Sequence, residues 1–236
     1  MELGRTDLGV LRSNAYPGRG LVIGLSSDGE AGIQIYWIMG RSPNSRNRRF
    51  VVEGSVLRTA PVDASKVTDP SLVIYEAMLE LANVHIVSNG DQTRTVYDAL
   101  QRGETFDGAL ATREREPDAP HYTPRITGML DLRGTTAAAA LSLLRASSLD
   151  TAKTDRFTYR PVLFPGYGYG LTTYSGDGDP LPSFSGDPLL LPLEAHAEAV
   201  LDVYWDALNA ENRVALAVKR IPLDGGRITV LVRNQY

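Results

Sequence analysis

The 236-residue sequence contains no cysteine. That excludes disulfides, thiolate catalysis and cysteine-based zinc sites. Histidine is scarce: His85, His121 and His196 lie far apart, so a histidine-rich metal centre is not expected, and no cofactor is called for. No stretch approaches the roughly twenty apolar residues of a membrane-spanning helix. The N-terminal residues lack the apolar core of a secretion signal, so the expectation is a cytoplasmic protein with no membrane partner. Nor is positive charge in excess: 24 Lys and Arg stand against 28 Asp and Glu, a formal charge of −4. Nucleic-acid binding through bulk electrostatics is therefore not expected. The remainder is ordinary, 43% hydrophobic and 22% charged. A chain of this length can bury a real core, as one large domain or two small ones.

Against that acidic background one basic stretch stands out. Tyr36–Arg49 reads YWIMGRSPNSRNRR: an apolar strand runs into Gly40, then Arg41, Arg46, Arg48 and Arg49 alternate with Ser42, Asn44, Ser45 and Asn47. The bland reading is a solvated loop. The sharper one is an anion site, because the guanidinium fork suits phosphate and carboxylate and short polar side chains complete the donor set. Tyr16-Pro-Gly-Arg-Gly20, before the strand Leu21–Gly24, is a turn that also brings Arg19 beside permissive glycines.

Strands and turns follow in close order. Ser26–Gly29 is a hairpin turn into Ile33–Met39, and Phe50–Val52 with Ser55–Arg58 forms another pair, so the first sixty residues read as an antiparallel meander. Residues 61–70 are a loop and 71–75 a short apolar segment, while Glu76–Leu81 prefers helix by propensity. Val84–Val87 is a strand, and Asp91 is the expected N-cap of a helix reaching Arg102. Ser88-Asn89-Gly90 at its head could hold an anion through free amides. Thr105–Thr112 continues helically, and Arg113–Glu116 reads as a solvated helix end. Strand Ile126–Leu132 turns through Arg133-Gly134 into Thr135–Ala146, whose alanines favour helix but whose tight link favours a strand; strand is the choice. After the polar segment 147–155, Phe157–Phe164 is a strand. A glycine–tyrosine loop then occupies 165–192, and Tyr167, Tyr169 and Tyr174 either stack on a planar ligand or pack the loop down. Leu193–Leu208 is an amphipathic helix, and Val214–Ile221 with Arg227–Arg233 closes the chain as a hairpin. This order predicts two antiparallel sheets with helices outside them, an α+β fold in one domain over 1–236.

Four blocks together resemble the archaeal-type IMP cyclohydrolase family: Tyr16–Gly20, Tyr36–Arg48, Val87–Gly90 with Thr93, and Glu116 followed by Tyr122–Ile126. They cover about residues 14–132, and the part beyond, counted as an extension over 135–236, looks like the longer bacterial form of the family. The resemblance implies the N-terminal nucleophile hydrolase fold, a four-layer αββα sandwich. It also implies closure of 5-formamidoimidazole-4-carboxamide ribonucleotide to IMP with loss of water, and self-association into a homo-oligomer. The hydrolases of that fold use Cys, Ser or Thr as their first mature residue, whereas this chain reads Met1-Glu2-Leu3, so self-processing is not expected.

From the family pattern, Arg41 matches a substrate-binding arginine, Tyr75 an active-site tyrosine and Glu116 an active-site glutamate. The resemblance gives these three as the catalytic set: Arg41 for charged substrate groups, Tyr75 for the formyl oxygen, Glu116 for the carboxamide. Arg19, Arg46, Asn47, Arg48, Asn89 and Arg125 are candidate contacts to phosphate or ribose. Arg48-Arg49 and the C-terminal extension depart from the archaeal pattern. Two other classes therefore stay open: a non-catalytic nucleotide-binding or regulatory protein, and an amide-processing enzyme for another phosphorylated substrate.

Overall fold

The computed structural model describes residues 7–67 and 74–236. In chain order the elements are α1 (Gly9–Arg12), β1 (Gly20–Leu25), β2 (Ala31–Met39), α2 (Pro43–Arg46), β3 (Arg49–Glu53) and β4 (Val56–Ala60). Next come β5 (Glu76–Leu81), β6 (Val84–Ser88), α3 (Gln92–Gln101), α4 (Phe106–Ala111), β7 (Arg125–Asp131) and β8 (Ala138–Ala146). The chain finishes with β9 (Thr154–Tyr159), β10 (Tyr167–Thr172), β11 (Leu189–Pro192), α5 (Ala197–Ala207), β12 (Arg213–Pro222) and β13 (Thr229–Asn234). One sheet runs β11-β10-β1-β2-β12-β13 and the other β3-β4-β5-β6-β7-β8-β9, with every strand pairing antiparallel.

Side-chain alternation along the central strands builds the layers. In β2, Ile33, Ile35, Trp37 and Met39 join the core under α1 and α5, while Tyr36 and Ile38 point into the core between the sheets. In β12, Leu216 and Val218 take the helix side and Ala215 and Ala217 the inter-sheet side. The second sheet repeats this: Val84 and Ile86 of β6 pack with Val96 and Phe106 of the α3–α4 layer, and Val87 faces the other sheet. The result is helix, sheet, sheet, helix, the expected αββα sandwich. Among the described residues no helix is long and apolar enough to cross a membrane.

Several local expectations are overturned. Glu76–Leu81 is not helical: it is β5, paired on one side to β4 and on the other to β6, and those ladders outweigh the modest helix preference of EAMLEL. The meander of the first sixty residues is split, β1–β2 lying in one sheet and β3–β4 in the other. The strand drawn over 157–164 starts earlier, at Thr154, and stops at Tyr159. The 165–192 segment is not one loop, because β10 and β11 pair within it. Its glycines are packing residues: a Cβ at Gly168 would sit 2.6 Å from Cγ1 of Val22 on β1. The C-terminal helix is shorter than drawn, starting at Ala197. Asp91 precedes α3 without capping it through its side chain, and accepts instead from Arg113 and Arg125. The apolar segment drawn over 71–75 lies mostly outside the described residues.

Candidate active site

At one end of the sandwich, where β1 begins and β2 and β6 finish, a cleft of about 430 Å³ opens. The exit of β2 shapes one wall. Gly40 is required there, since a Cβ would meet the Ser45 carbonyl carbon at 2.7 Å. Ser42 and Ser45 then form a reciprocal capping box around Pro43 at the head of α2, Ser42 Oγ accepting from the Ser45 amide at 3.1 Å and Ser45 Oγ from the Ser42 amide at 2.9 Å. The short polar residues of the basic stretch are thus consumed mainly in making its turn.

Tyr16–Gly20 forms the opposite wall. Gly18 has φ +70°, and a Cβ on it would lie 2.2 Å from Thr173 Oγ1, so only glycine lets this turn dock on the segment after β10. Docking aims Arg19 inward. Its Nη2 donates to Glu116 Oε2 at 2.9 Å and its Nη1 to the Asn89 carbonyl at 2.9 Å. Arg19 is 9% exposed and Glu116 4%, so this is a buried ion pair at the cleft wall. Burial alone would pull the Arg19 pKa down, but Glu116, with Tyr75 and Tyr36 adding to it, more than offsets this and holds the guanidinium well above its usual value.

Arg48 differs. It is 8% exposed and lines the cleft, yet it donates only to backbone carbonyls, Ser45 at 2.9 Å and Met39 at 3.2 Å. Among the described residues no carboxylate lies within ion-pair distance of it. Burial, with the Arg19 charge adding to it, draws its pKa below the usual value. A buried cation without a counter-ion calls for an anion, since desolvating a charge is costly unless it is paired. Arg41 stands on the rim over the Tyr16 ring, 4.8 Å from its centroid, and forms an ion pair with Asp177.

The remaining expected residues separate clearly. Arg46 donates to the carbonyls of Gly40 and Glu211, and Asn47 exchanges two 2.8 Å bonds with the backbone of Asp63. The Asn89 side chain is saturated by Gln92, Pro124 and Ile126. Arg125 turns to Asp91, Gln92 and the Glu114 carbonyl. These four brace the walls and do not line the cleft. Tyr75 is buried beneath it, its hydroxyl 2.6 Å from that of Tyr36, with both phenols in electrostatic range of Arg19 and Arg48. Burial first, then Tyr75, holds the Tyr36 phenol well above its usual pKa. Glu116, in the run read as solvated, is instead buried where the chain bends back so that its amide bonds the Thr123 carbonyl.

Other cleft residues were not singled out from the sequence: Tyr16, Asp118, His121 and Leu181. Tyr16 heads the glycine turn and was legible there; Asp118 and His121 sit in a proline-flanked loop with no pattern of their own. Tyr174 packs its segment down, stacking on Tyr16 with centroids 6.0 Å apart, and it also lines the cleft. Burial raises its pKa to about 12, so its hydroxyl keeps its proton across the physiological range.

A family model described as IMP cyclohydrolase-like protein matches residues 16–225. The chain belongs to that family. An IMP cyclohydrolase of Methanothrix thermoacetophila (strain DSM 6194 / JCM 14653 / NBRC 101360 / PT) is 31% identical over 127 residues, which is 50% of this chain and 59% of that relative. The match therefore spans less than two thirds of the relative's length, while the family model runs through both cleft walls and the Tyr174 segment.

Proposed function

We propose that this IMP cyclohydrolase-like protein catalyses the dehydrative closure of 5-formamidoimidazole-4-carboxamide ribonucleotide to IMP. The observation that carries the reading is Arg48, a buried guanidinium with no carboxylate partner among the described residues, beside the Arg19–Glu116 pair in a cleft of nucleotide size. Arg48 is assigned to the substrate phosphate. Closure joins the carboxamide nitrogen to the formyl carbon; the formyl oxygen takes up protons and leaves as water. The chain must fold the substrate so that those atoms meet, supply a base for the carboxamide N–H and donate to the formyl oxygen. Glu116 is assigned as the base, steadied by Arg19. Tyr174 is assigned as donor to the oxygen, since it lines the cleft and stays protonated; its hydroxyl, 2.6 Å from Thr123 Oγ1 in the structure, turns from that partner to the substrate for this step. Tyr75, expected in that role, is assigned an indirect one: with Tyr36 it backs the two arginines from below. Self-association, suggested by the family resemblance, and a cytoplasmic location belong to the same proposal.

Incubating the purified protein with the formamido ribonucleotide and measuring IMP tests the reading. Turnover is expected, and Glu116→Gln should lower it by roughly 10²–10⁴-fold while IMP still binds. Tight IMP binding with no turnover would favour the non-catalytic nucleotide-binding alternative; neither binding nor turnover would sink both.

A further inference from the structure

The rim of the cleft carries a charge pair that the proposed chemistry does not use. Arg41 is held by Asp177 and donates to the Gly178 carbonyl at 3.3 and 3.4 Å. Asp177 rides on the segment after β10, which is fastened at several points. The Tyr174 amide donates to the Pro17 carbonyl at 3.2 Å, and the Leu181 amide to His121 Nδ1 at 3.1 Å. The carboxylate is thus held at the cleft mouth.

Counting the charges around the cleft decides what Asp177 does there. Arg19 is matched by Glu116 and Arg41 by Asp177, while Asp118 adds a further carboxylate to the lining. Among the described residues that leaves Arg48 as the one guanidinium of the cleft without a carboxylate, enough for one phosphate. We infer that Asp177 is a specificity residue: by occupying Arg41 it confines the site to ligands with a single phosphate group. A second or third phosphate reaching toward the rim would meet the Asp177 carboxylate in place of a free arginine. Discrimination of this kind works by repulsion against the wrong ligand, not by added attraction for the right one. The inference rests on the phosphorylated-ribonucleotide reading of the same cleft.

Calorimetric titration of inosine mono-, di- and triphosphate into the wild-type protein and Asp177→Asn tests it. Wild type should prefer the monophosphate. In the variant, di- and triphosphate should gain roughly two- to fivefold in affinity, the scale of a released exposed ion pair, with the monophosphate little changed. Adding Arg41→Gln to Asp177→Asn should erase that gain. Equal gains for all three ligands, no gain, or a general loss would overturn the role of Asp177 while leaving the nucleotide reading intact. Failure of the wild type to bind any of the three would overturn both.

Discussion

The two ends of the sandwich hold clefts of nearly equal size, about 430 Å³ at the Arg48 end and about 440 Å³ at the other, and each has an ion pair with a buried cation beside it. At the far end Lys219 of β12 is wholly buried and donates to Glu80 Oε2 of β5 at 2.6 Å, bridging the two sheets. His85 Nδ1 lies 3.4 Å from the same oxygen without hydrogen-bond geometry. Burial, and then the Lys219 charge, pushes the His85 pKa down to about 4, so the ring is neutral near pH 7. The one buried cation of that far cluster, Lys219, has its carboxylate among the described residues. At the Arg48 end the same kind of pair, Arg19–Glu116, sits beside a second guanidinium, Arg48, that has no carboxylate partner among the described residues. Cavity volume does not separate the two ends; the pairing of the buried cations does. A matched buried pair is a structural bridge, and a surplus buried cation is a binding group.

Three experiments sharpen or break that contrast. The largest effect belongs to the far end. Lys219→Met strips the partner from a partly buried Glu80 and should cost roughly 2–4 kcal/mol in urea unfolding. Ring-closing activity per folded molecule should stay as in wild type. Lys219→Met with Glu80→Leu should recover much of the stability, because a matched apolar pair carries no stranded charge. Loss of activity without loss of stability would mean that the far cluster is no mere bridge.

Arg48→Met should do the reverse. If Arg48 holds the substrate phosphate as proposed, the change removes a charge-assisted contact and IMP affinity should fall about 10- to 100-fold. Stability should move by no more than about 1 kcal/mol, since relief of desolvation offsets two hydrogen bonds to carbonyls. A large destabilisation with unchanged affinity would make Arg48 a brace like Arg46.

The smallest effect is a pH slope. The folded pKa of His85, about 4, lies below the ordinary 6.5, so the unfolded chain takes up a proton that the folded chain refuses. That penalty is absent above about pH 6.5 and grows as the pH falls toward 4. Between pH 7.5 and 5.5, above the range of most carboxylates, it should amount to about 1 kcal/mol. His85→Gln should flatten the slope in urea titrations; an unchanged slope would assign it to other groups.

Local pattern carried much of the reading. The apolar runs Ile33–Met39 and Val214–Ile221, bounded by turn residues, gave strands, and Asp224-Gly225-Gly226 gave the closing hairpin. Glycine beside Arg19 and Gly40 before Arg41 marked two turns that do face one cleft. Glu76–Leu81 misled because propensity spans a few tenths of a kcal/mol per residue, less than two neighbouring ladders supply. The glycine–tyrosine stretch misled for another reason: glycine signals a loop locally, but at Gly168 it answers a close approach from β1 that lies far off in sequence. Arg46, Asn47, Asn89 and Arg125 carry suitable donors, but those donors go to backbone and neighbouring side chains that no sequence pattern specifies.

The sequence alone determined the inventory: no thiol, few imidazoles, an arginine-rich turn after an apolar strand, and short apolar runs bounded by turn residues. These are properties of neighbours along the chain. Only the tertiary structure decided which guanidinium keeps its charge unspent, because that depends on pairings such as Arg19 with Glu116, 97 residues apart, and Arg41 with Asp177, 136 apart. Ion pairing acts through space over a few ångströms, and which strand ends come within that reach is set by how the two sheets pack.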